Sequence, residues 1–105
     1  MLKTLVVGAV LVLVGGLSTT PANGADVFKE KCASCHGETG HADTTLGKAM
    51  KVPALAGDTK VAGMSEADLV AAIKANTKHA AMLKKVNDEE LSAAAARVKE
   101  LSATK

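Results

Sequence analysis

Two cysteines and a histidine lie within five consecutive residues, Cys32-Ala33-Ser34-Cys35-His36. Two residues between the cysteines allow one turn of helix to present both sulfurs along one edge, and the adjacent histidine supplies an imidazole. This Cys-x-x-Cys-His spacing indicates covalent attachment of a c-type haem, with Cys32 and Cys35 as thioether positions and His36 as a ligand of the iron. The sixth position of the iron is left to another ligand, and that ligand decides between electron transfer and chemistry on a small molecule.

Three other interpretations of the cysteine pair are weaker. A thioredoxin-like redox pair requires alternating strands and helices around it, and this chain is poor in strand-forming residues. A structural zinc site needs a second pair of ligands, and the remaining histidines, His41 and His79, do not form one. A disulfide from Cys32 to Cys35 would close a very small loop and constrain little of the unfolded chain. We therefore expect one covalently bound haem c with its iron.

The beginning of the chain has the pattern of a cleavable secretory signal. A short positive segment, residues 1–3, precedes an apolar run at residues 5–17, and small and polar residues follow at 18–22. The apolar run is shorter than the roughly 20 residues that a membrane-spanning helix requires, so an uncleaved anchor is the weaker alternative. We predict cleavage after Ala22, with positions up to Ala25 open, a periplasmic location and no stable membrane anchor after cleavage.

Residues 1–22 are then the signal peptide, and residues 23–105 form one small domain with a formal charge of about +1, because Lys3 is the one charged residue removed. A chain this short builds a marginal core unaided. Phe28 is its one aromatic residue, and Trp and Tyr are absent. A buried macrocycle would supply the missing volume, so we expect no stable fold without haem. The near-neutral charge argues against nucleic-acid binding.

Apolar spacing and capping residues predict three main helices separated by loops. The first helix is expected at about residues 25–36, with Gly37 ending it. Ser65 caps the second helix, and Asn87 with Glu90 forms close to a capping box at the start of the third. The third helix has one apolar face and is expected to cross the first. That face consists of Leu91, Ala94, Ala95, Val98 and Leu101.

Together these features resemble the small, single-haem class I cytochromes c of bacterial periplasms, including the cytochrome c6 and c-551 types. The resemblance spans the mature chain and implies an all-α cytochrome c fold, with three main helices and loops wrapped around one covalently attached haem. The matching positions are Gly24, Phe28, Cys32, Cys35, His36 and Gly37 in the opening helix, Val52-Pro53-Ala54-Leu55 in the proline-leucine segment, and Asn87-Asp88-Glu89-Glu90-Leu91 in the final helix.

The chain departs from the family pattern in two places. Arg97 stands where the final helix usually carries an aromatic residue, so the first and last helices must meet differently. The axial methionine of the family is often followed by proline, whereas Met82 is followed by Leu83.

The resemblance implies that Met82 is the sixth ligand of the iron. A thioether raises the reduction potential, which suits an electron carrier. His79 is the main rival and would give a low-potential haem with two histidine ligands. Weaker candidates are Met50, Met64 and His41.

The resemblance also implies a haem environment around the proline-leucine segment. The carbonyl of Pro53 is expected to accept a hydrogen bond from His36, which would fix the orientation of the imidazole. Leu55 is expected to pack against the haem.

We predict a periplasmic, monomeric electron carrier that is not an enzyme and that cycles its haem between Fe(III) and Fe(II), with His36 and Met82 as axial ligands. Its partners would be redox donor and acceptor proteins, steered by lysines around the haem edge. These lysines are Lys78, Lys84 and Lys85. Two alternatives stay open: a haem subunit of a larger oxidoreductase complex, and an open-site haem protein that binds peroxide or a diatomic gas.

Overall fold

The computed structural model describes residues 22–105. This part of the chain is helical and contains no strand, which confirms the predicted all-α fold. Seven α-helices and one 3-10 turn follow in order. They are α1 (Gly24–Lys31), α2 (Ala33–His36), α3 (Thr45–Ala49), α4 (Thr59–Ala62), α5 (Glu66–Ala75), the 3-10 turn Thr77–His79, α6 (Ala80–Leu83) and α7 (Asp88–Ser102).

The predicted first helix is divided into α1 and α2. The backbone breaks from helical geometry at Cys32, where φ is −119°, although the amide of Cys32 still donates to the carbonyl of Phe28 at 2.8 Å. Gly37 ends α2 as predicted, with a φ of +77° that side chains with a Cβ rarely adopt. Asn23 caps α1, since its side chain accepts from the amide of Ala25 at 2.9 Å.

The predicted starts of the other two main helices are confirmed. The hydroxyl of Ser65 accepts a hydrogen bond from the amide of Asp68 at 3.1 Å, at the start of α5. At the start of α7, the amide of Glu90 donates to the side chain of Asn87 at 2.8 Å, and the Glu90 carboxylate accepts from the amide of Asn87 at 3.1 Å. This reciprocal pair is the capping box that the sequence indicates.

Helix α7 is the centre of the packing, because α1, α4 and α5 all lie against it. The predicted crossing of the first and last helices is therefore present. Gly24 allows the close approach, since a Cβ at this position would collide with the carbonyl oxygen of Ala93. Arg97, at the departure from the family pattern, forms an ion pair with Glu100 at 2.9 Å. The buried cluster between these helices consists of Phe28, Ala33, Leu69, Ala95, Val98 and Leu101.

Nearly all of the predicted signal peptide, residues 1–21, lies outside the described residues. The signal, its cleavage site and the domain boundary at residue 23 stay predictions. Within residues 22–105, no helix has the length and apolar character needed to cross a membrane.

Candidate functional site

The two cysteines and the histidine of the motif are held together by one turn of backbone. The amides of Cys35 and His36 both donate to the carbonyl of Cys32, at 3.2 and 3.0 Å. Both cysteines are free thiols and half-buried. The turn thus brings two thiols and an imidazole to one place, as covalent attachment of haem requires.

The thiol of Cys32 is held in its protonated form. Burial, followed by the neighbouring charge at Cys35, raises the pKa of Cys32 to about 11. A catalytic redox cysteine instead needs a lowered pKa, because the thiolate is its reactive form. The raised pKa of Cys32 therefore gives no support to a role for this thiol as a redox nucleophile.

His36 has the properties of a neutral ligand. Burial lowers its pKa, and a positive charge at His79 would lower it further. Its Nδ1 atom is buried and has no hydrogen-bond partner among the described residues. A neutral imidazole is the form that coordinates a metal. An unpartnered ring nitrogen beside two free thiols is a set of groups that fits a covalently held haem.

The expected hydrogen bond from His36 to the carbonyl of Pro53 is not formed in the described structure, where Nδ1 of His36 has no partner. The place of Pro53 in the haem environment stays a prediction. Pro53 is exposed, and the loop that follows it is anchored elsewhere. The amides of Leu55 and Ala56 both donate to the carbonyl of Gly40, at 2.7 and 3.0 Å. These bonds hold the loop against the segment after the motif.

Leu55 belongs to a set of half-buried apolar side chains that pack against the buried cluster. The set comprises Cys32, Leu55, Val61, Met64, Val70 and Ile73. Because Cys32 is one of its members, the haem-attachment turn and the apolar side chains are parts of one packed unit. The predicted contact of Leu55 with haem stays a prediction.

The sequence analysis did not predict the contact between Thr44 and the haem-attachment motif. The hydroxyl of Thr44 donates to the carbonyl of Ser34 at 2.7 Å and accepts from the amide of Gly47 at 2.9 Å. A Cβ at Gly47 would collide with the carbonyl oxygen of Cys35. Thr44 therefore caps α3 and fastens it to the motif. A threonine directly before a short helical segment was the sequence feature that could have predicted this cap.

The ring of His79, the rival candidate for the sixth ligand, lies near that of His36. The ring centres of His36 and His79 are 6.2 Å apart, and their planes are inclined by 44°. The half-buried His79 ring donates its Nδ1 proton to the carbonyl of Ile73, at 2.8 Å. His41 is exposed, and its Nδ1 atom lies 2.7 Å from the hydroxyl of Thr39.

The methionine candidates occupy three different environments. Met82 is half-buried in α6 and borders a surface cleft, together with Lys31 and Ser34. Met64 packs against the buried cluster, whereas Met50 is exposed, at 38%. The assignment of Met82 as a ligand stays a prediction.

The charged surroundings of α6 include the predicted docking lysines, all of which are exposed. Lys78 donates to the carbonyl of Met50 at 3.3 Å.

Within residues 22–105, no group of three or more His, Cys, Asp or Glu side chains is arranged to hold a metal ion. The zinc interpretation therefore finds no support in the described part of the chain.

A small helical domain with one haem-attachment turn defines the class I c-type cytochromes that bind a single haem. The comparison with protein families agrees: the family model described as cytochrome c oxidase, cbb3-type, subunit III matches residues 19–96, about three quarters of the chain. The chain belongs to this cytochrome c family. The predicted resemblance and the covalently bound haem c with its iron are thereby confirmed. Comparisons with curated proteins and with solved structures found no match.

Proposed function

We propose that this protein is a periplasmic electron carrier, whose haem iron alternates between the ferric and ferrous states while protein side chains keep both axial positions occupied. Its family supports haem-based electron transfer rather than catalysis. The observation that carries the proposal is the packing of the motif: Cys32 lies against the buried cluster, and Phe28 lies beside His36 with ring centres 6.2 Å apart. This packing places the motif at the edge of the buried cluster, where a haem attached to it would be partly shielded from water.

The residues around the motif have defined tasks in this proposal. Cys32 and Cys35 would hold the haem, and His36 would donate a lone pair to the iron. When bound, the haem supplies a metal that accepts and releases one electron. The bonds of Thr44 to the motif and to α3 would restrain the turn from outside.

The sixth position would be closed by a side chain from residues 79–82. The family resemblance assigns this position to Met82, and a methionine there would raise the reduction potential. The proposed function itself requires only that a protein ligand occupies the position and excludes small molecules.

The property to test is whether a protein side chain occupies the sixth axial position of the iron. We expect the purified haem-loaded protein to undergo repeated one-electron oxidation and reduction with an unchanged optical spectrum, and its reduced form not to bind carbon monoxide. Optical spectra recorded before and after gas addition, over several redox cycles, measure both properties. Rapid carbon monoxide binding by the wild-type protein, or turnover of peroxide, would favour the open-site alternative.

The periplasmic location is part of the same proposal. Cleavage after Ala22 would leave Asn23 as the first residue and preserve the cap of α1, whereas cleavage after Gly24 would remove it. Loss of a side-chain N-cap costs about 1 kcal/mol. The domain left by cleavage after Ala22 would therefore be the more stable of the two.

A haem subunit of a larger oxidoreductase is the second candidate function, because the matching family is described as a subunit of a cytochrome c oxidase. Fractionation of the native cell distinguishes the two candidates. Recovery of the protein as a free monomer supports the carrier, and recovery with a membrane oxidase supports the subunit.

We propose that redox partners dock at the lysines near α6. We expect Lys84→Glu with Lys85→Glu to slow electron transfer to an acidic partner at least about tenfold at low ionic strength, because like charges oppose the encounter. The difference should shrink as salt screens the charges. Stopped-flow rates at several salt concentrations measure this effect.

The control is Lys60→Glu with Lys105→Glu, which makes the same charge change at exposed residues of another part of the chain. Equal rates for the two double variants would show that net charge alone is responsible. An unchanged rate in Lys84→Glu with Lys85→Glu would remove the docking role.

A further inference from the structure

Helix α3 and the residue that ends it carry two large apolar side chains that face solvent. Leu46 is 46% exposed and Met50 is 38% exposed. The amide of Met50 donates to the carbonyl of Leu46 at 2.9 Å, so the two residues lie one helical turn apart on the same face. Every other Leu, Ile, Val, Met or Phe side chain of residues 22–105 is buried or half-buried. The exposed apolar surface is thus concentrated at one place.

The charges around this apolar pair are positive. Residues 44–57 contain Lys48 and Lys51 and no Asp or Glu. Lys78 is brought to the pair because its Nζ atom donates to the carbonyl of Met50 at 3.3 Å. The ion pairs of residues 22–105 use other basic residues, so no carboxylate of that part neutralises Lys51 or Lys78. An apolar centre with a positive rim is complementary to an acidic surface.

The backbone of Lys51 adopts a conformation that glycine adopts more readily, with a φ of +55°. The amide of Lys51 donates to the carbonyl of Lys48 at 3.2 Å, and the amide of Val52 donates to that of Gly47 at 2.9 Å. This pair of bonds forms a Schellman motif, in which glycine usually occupies the position of Lys51. A lysine there costs stability, which supports a task for its side chain outside the fold.

Helix α3 is also joined directly to the haem-attachment turn. The hydroxyl of Thr44 donates to the carbonyl of Ser34 at 2.7 Å, and a Cβ at Gly47 would collide with the carbonyl oxygen of Cys35. The backbone of α3 therefore touches the turn that would hold the haem. Because electron transfer slows steeply with distance, a partner seated on α3 would be well placed to exchange an electron with this haem.

We propose that the α3 face, defined as Leu46, Met50, Lys51 and Lys78, is a docking surface for an acidic redox protein. The inference rests on the proposed function and deepens it, because it adds an apolar centre to a contact so far described by charge alone. The apolar pair would exclude water from the centre of the contact, and the lysines would orient the partner. One electron would then pass between the redox centre of the partner and the haem iron.

Stopped-flow reduction of the haem-loaded protein by a plant-type ferredoxin tests this surface, because that protein is acidic and its low potential favours electron flow to the haem. We expect Leu46→Ser with Met50→Ser to slow reduction at least about tenfold at every salt concentration, since central apolar side chains carry most of the binding energy. Lys51→Gly should slow it about threefold at low ionic strength, and salt should shrink this difference.

Lys51→Gly also keeps the proposal testable if the double serine variant does not fold. It should unfold at a temperature no lower than the wild type does, because glycine adopts this φ without strain. A slower reaction in a protein of undiminished stability assigns Lys51 to docking rather than to folding. An unchanged ferredoxin rate in Lys51→Gly, or in a folded Leu46→Ser with Met50→Ser, would overturn the α3 docking surface.

Two controls separate docking from other effects. Lys60→Gln removes one positive charge from an exposed residue of α4, a helix that packs against α7, and should leave the ferredoxin rate unchanged. Dithionite, a small reductant, should reduce every variant at the wild-type rate. Equal slowing by Lys60→Gln and Lys51→Gly would overturn the proposal.

The optical spectrum distinguishes the remaining outcomes. The double serine variant should keep the wild-type spectrum, and an altered spectrum would place Leu46 and Met50 against the haem and overturn the docking surface. A wild-type protein that is not reversibly reduced by dithionite would instead contradict the electron-carrier proposal on which the surface rests.

Discussion

The double variant Cys32→Ala with Cys35→Ala is expected to carry no covalently bound haem and to lose its cooperative unfolding transition. Both thioether positions are removed, so the haem has no covalent hold on the chain. The described core is otherwise small: Phe28 is its one large side chain with less than 2% exposure, and three of its other buried residues are Ala33, Ala94 and Ala95. Domains of this size commonly depend on a cofactor or cross-link for stability.

Two measurements check this expectation. Extraction with acid and organic solvent should remove haem from the double variant and leave it on the wild-type chain. Thermal unfolding followed by circular dichroism should show a cooperative transition in the wild type alone. Ser34→Ala is the matched control, because Ser34 lies between the two cysteines and uses only its carbonyl to bind Thr44. A double variant that unfolds cooperatively at the wild-type temperature would show that the protein core is sufficient by itself.

Phe28→Ala is expected to lower the free energy of unfolding of the haem-loaded protein by about 3–5 kcal/mol, as large-to-small substitutions of buried aromatic residues do. Phe28 is 1% exposed and belongs to the cluster between α1 and α7. Total stabilities of small domains are about 5–15 kcal/mol, so this loss is a large fraction. Its ring also lies beside that of His36, with centres 6.2 Å apart, so the variant should loosen the imidazole.

Urea unfolding curves of three variants measure the contribution of Phe28. Phe28→Leu keeps most of the apolar volume and should cost less than about 1.5 kcal/mol. Leu46→Ala removes a large apolar side chain that is 46% exposed, and a surface change of this kind stays within about 0.5 kcal/mol. Similar losses in Phe28→Ala and Leu46→Ala would mean that burial at Phe28 does not stabilise the fold.

Much of the secondary structure could be predicted because it depends on neighbouring residues. Ser65, Asn87 and Glu90 each cap a helix through atoms three residues away, and Gly37 ends α2 through its own backbone freedom. The apolar face of α7 followed from helical spacing in the same way. Every residue predicted on that face is buried: Leu91, Ala94, Ala95, Val98 and Leu101.

The haem site was predictable in part for a related reason. The motif places Cys32, Cys35 and His36 on one turn, and a single turn is enough to define their spacing. The break of the first helix at Cys32 was not predictable, since apolar spacing continues across it. The path of the loop after Pro53 was not predictable either, because it depends on bonds to Gly40, which lies in an earlier loop of the chain.

The sequence by itself determined the class of cofactor, the helical fold and the caps, because these depend on groups within about one helical turn of each other. The tertiary structure decided which distant groups meet: Gly24 against Ala93, and the ring of His36 near that of His79. Such contacts depend on how the loops run between packed helices. Spacing along the chain does not encode that path.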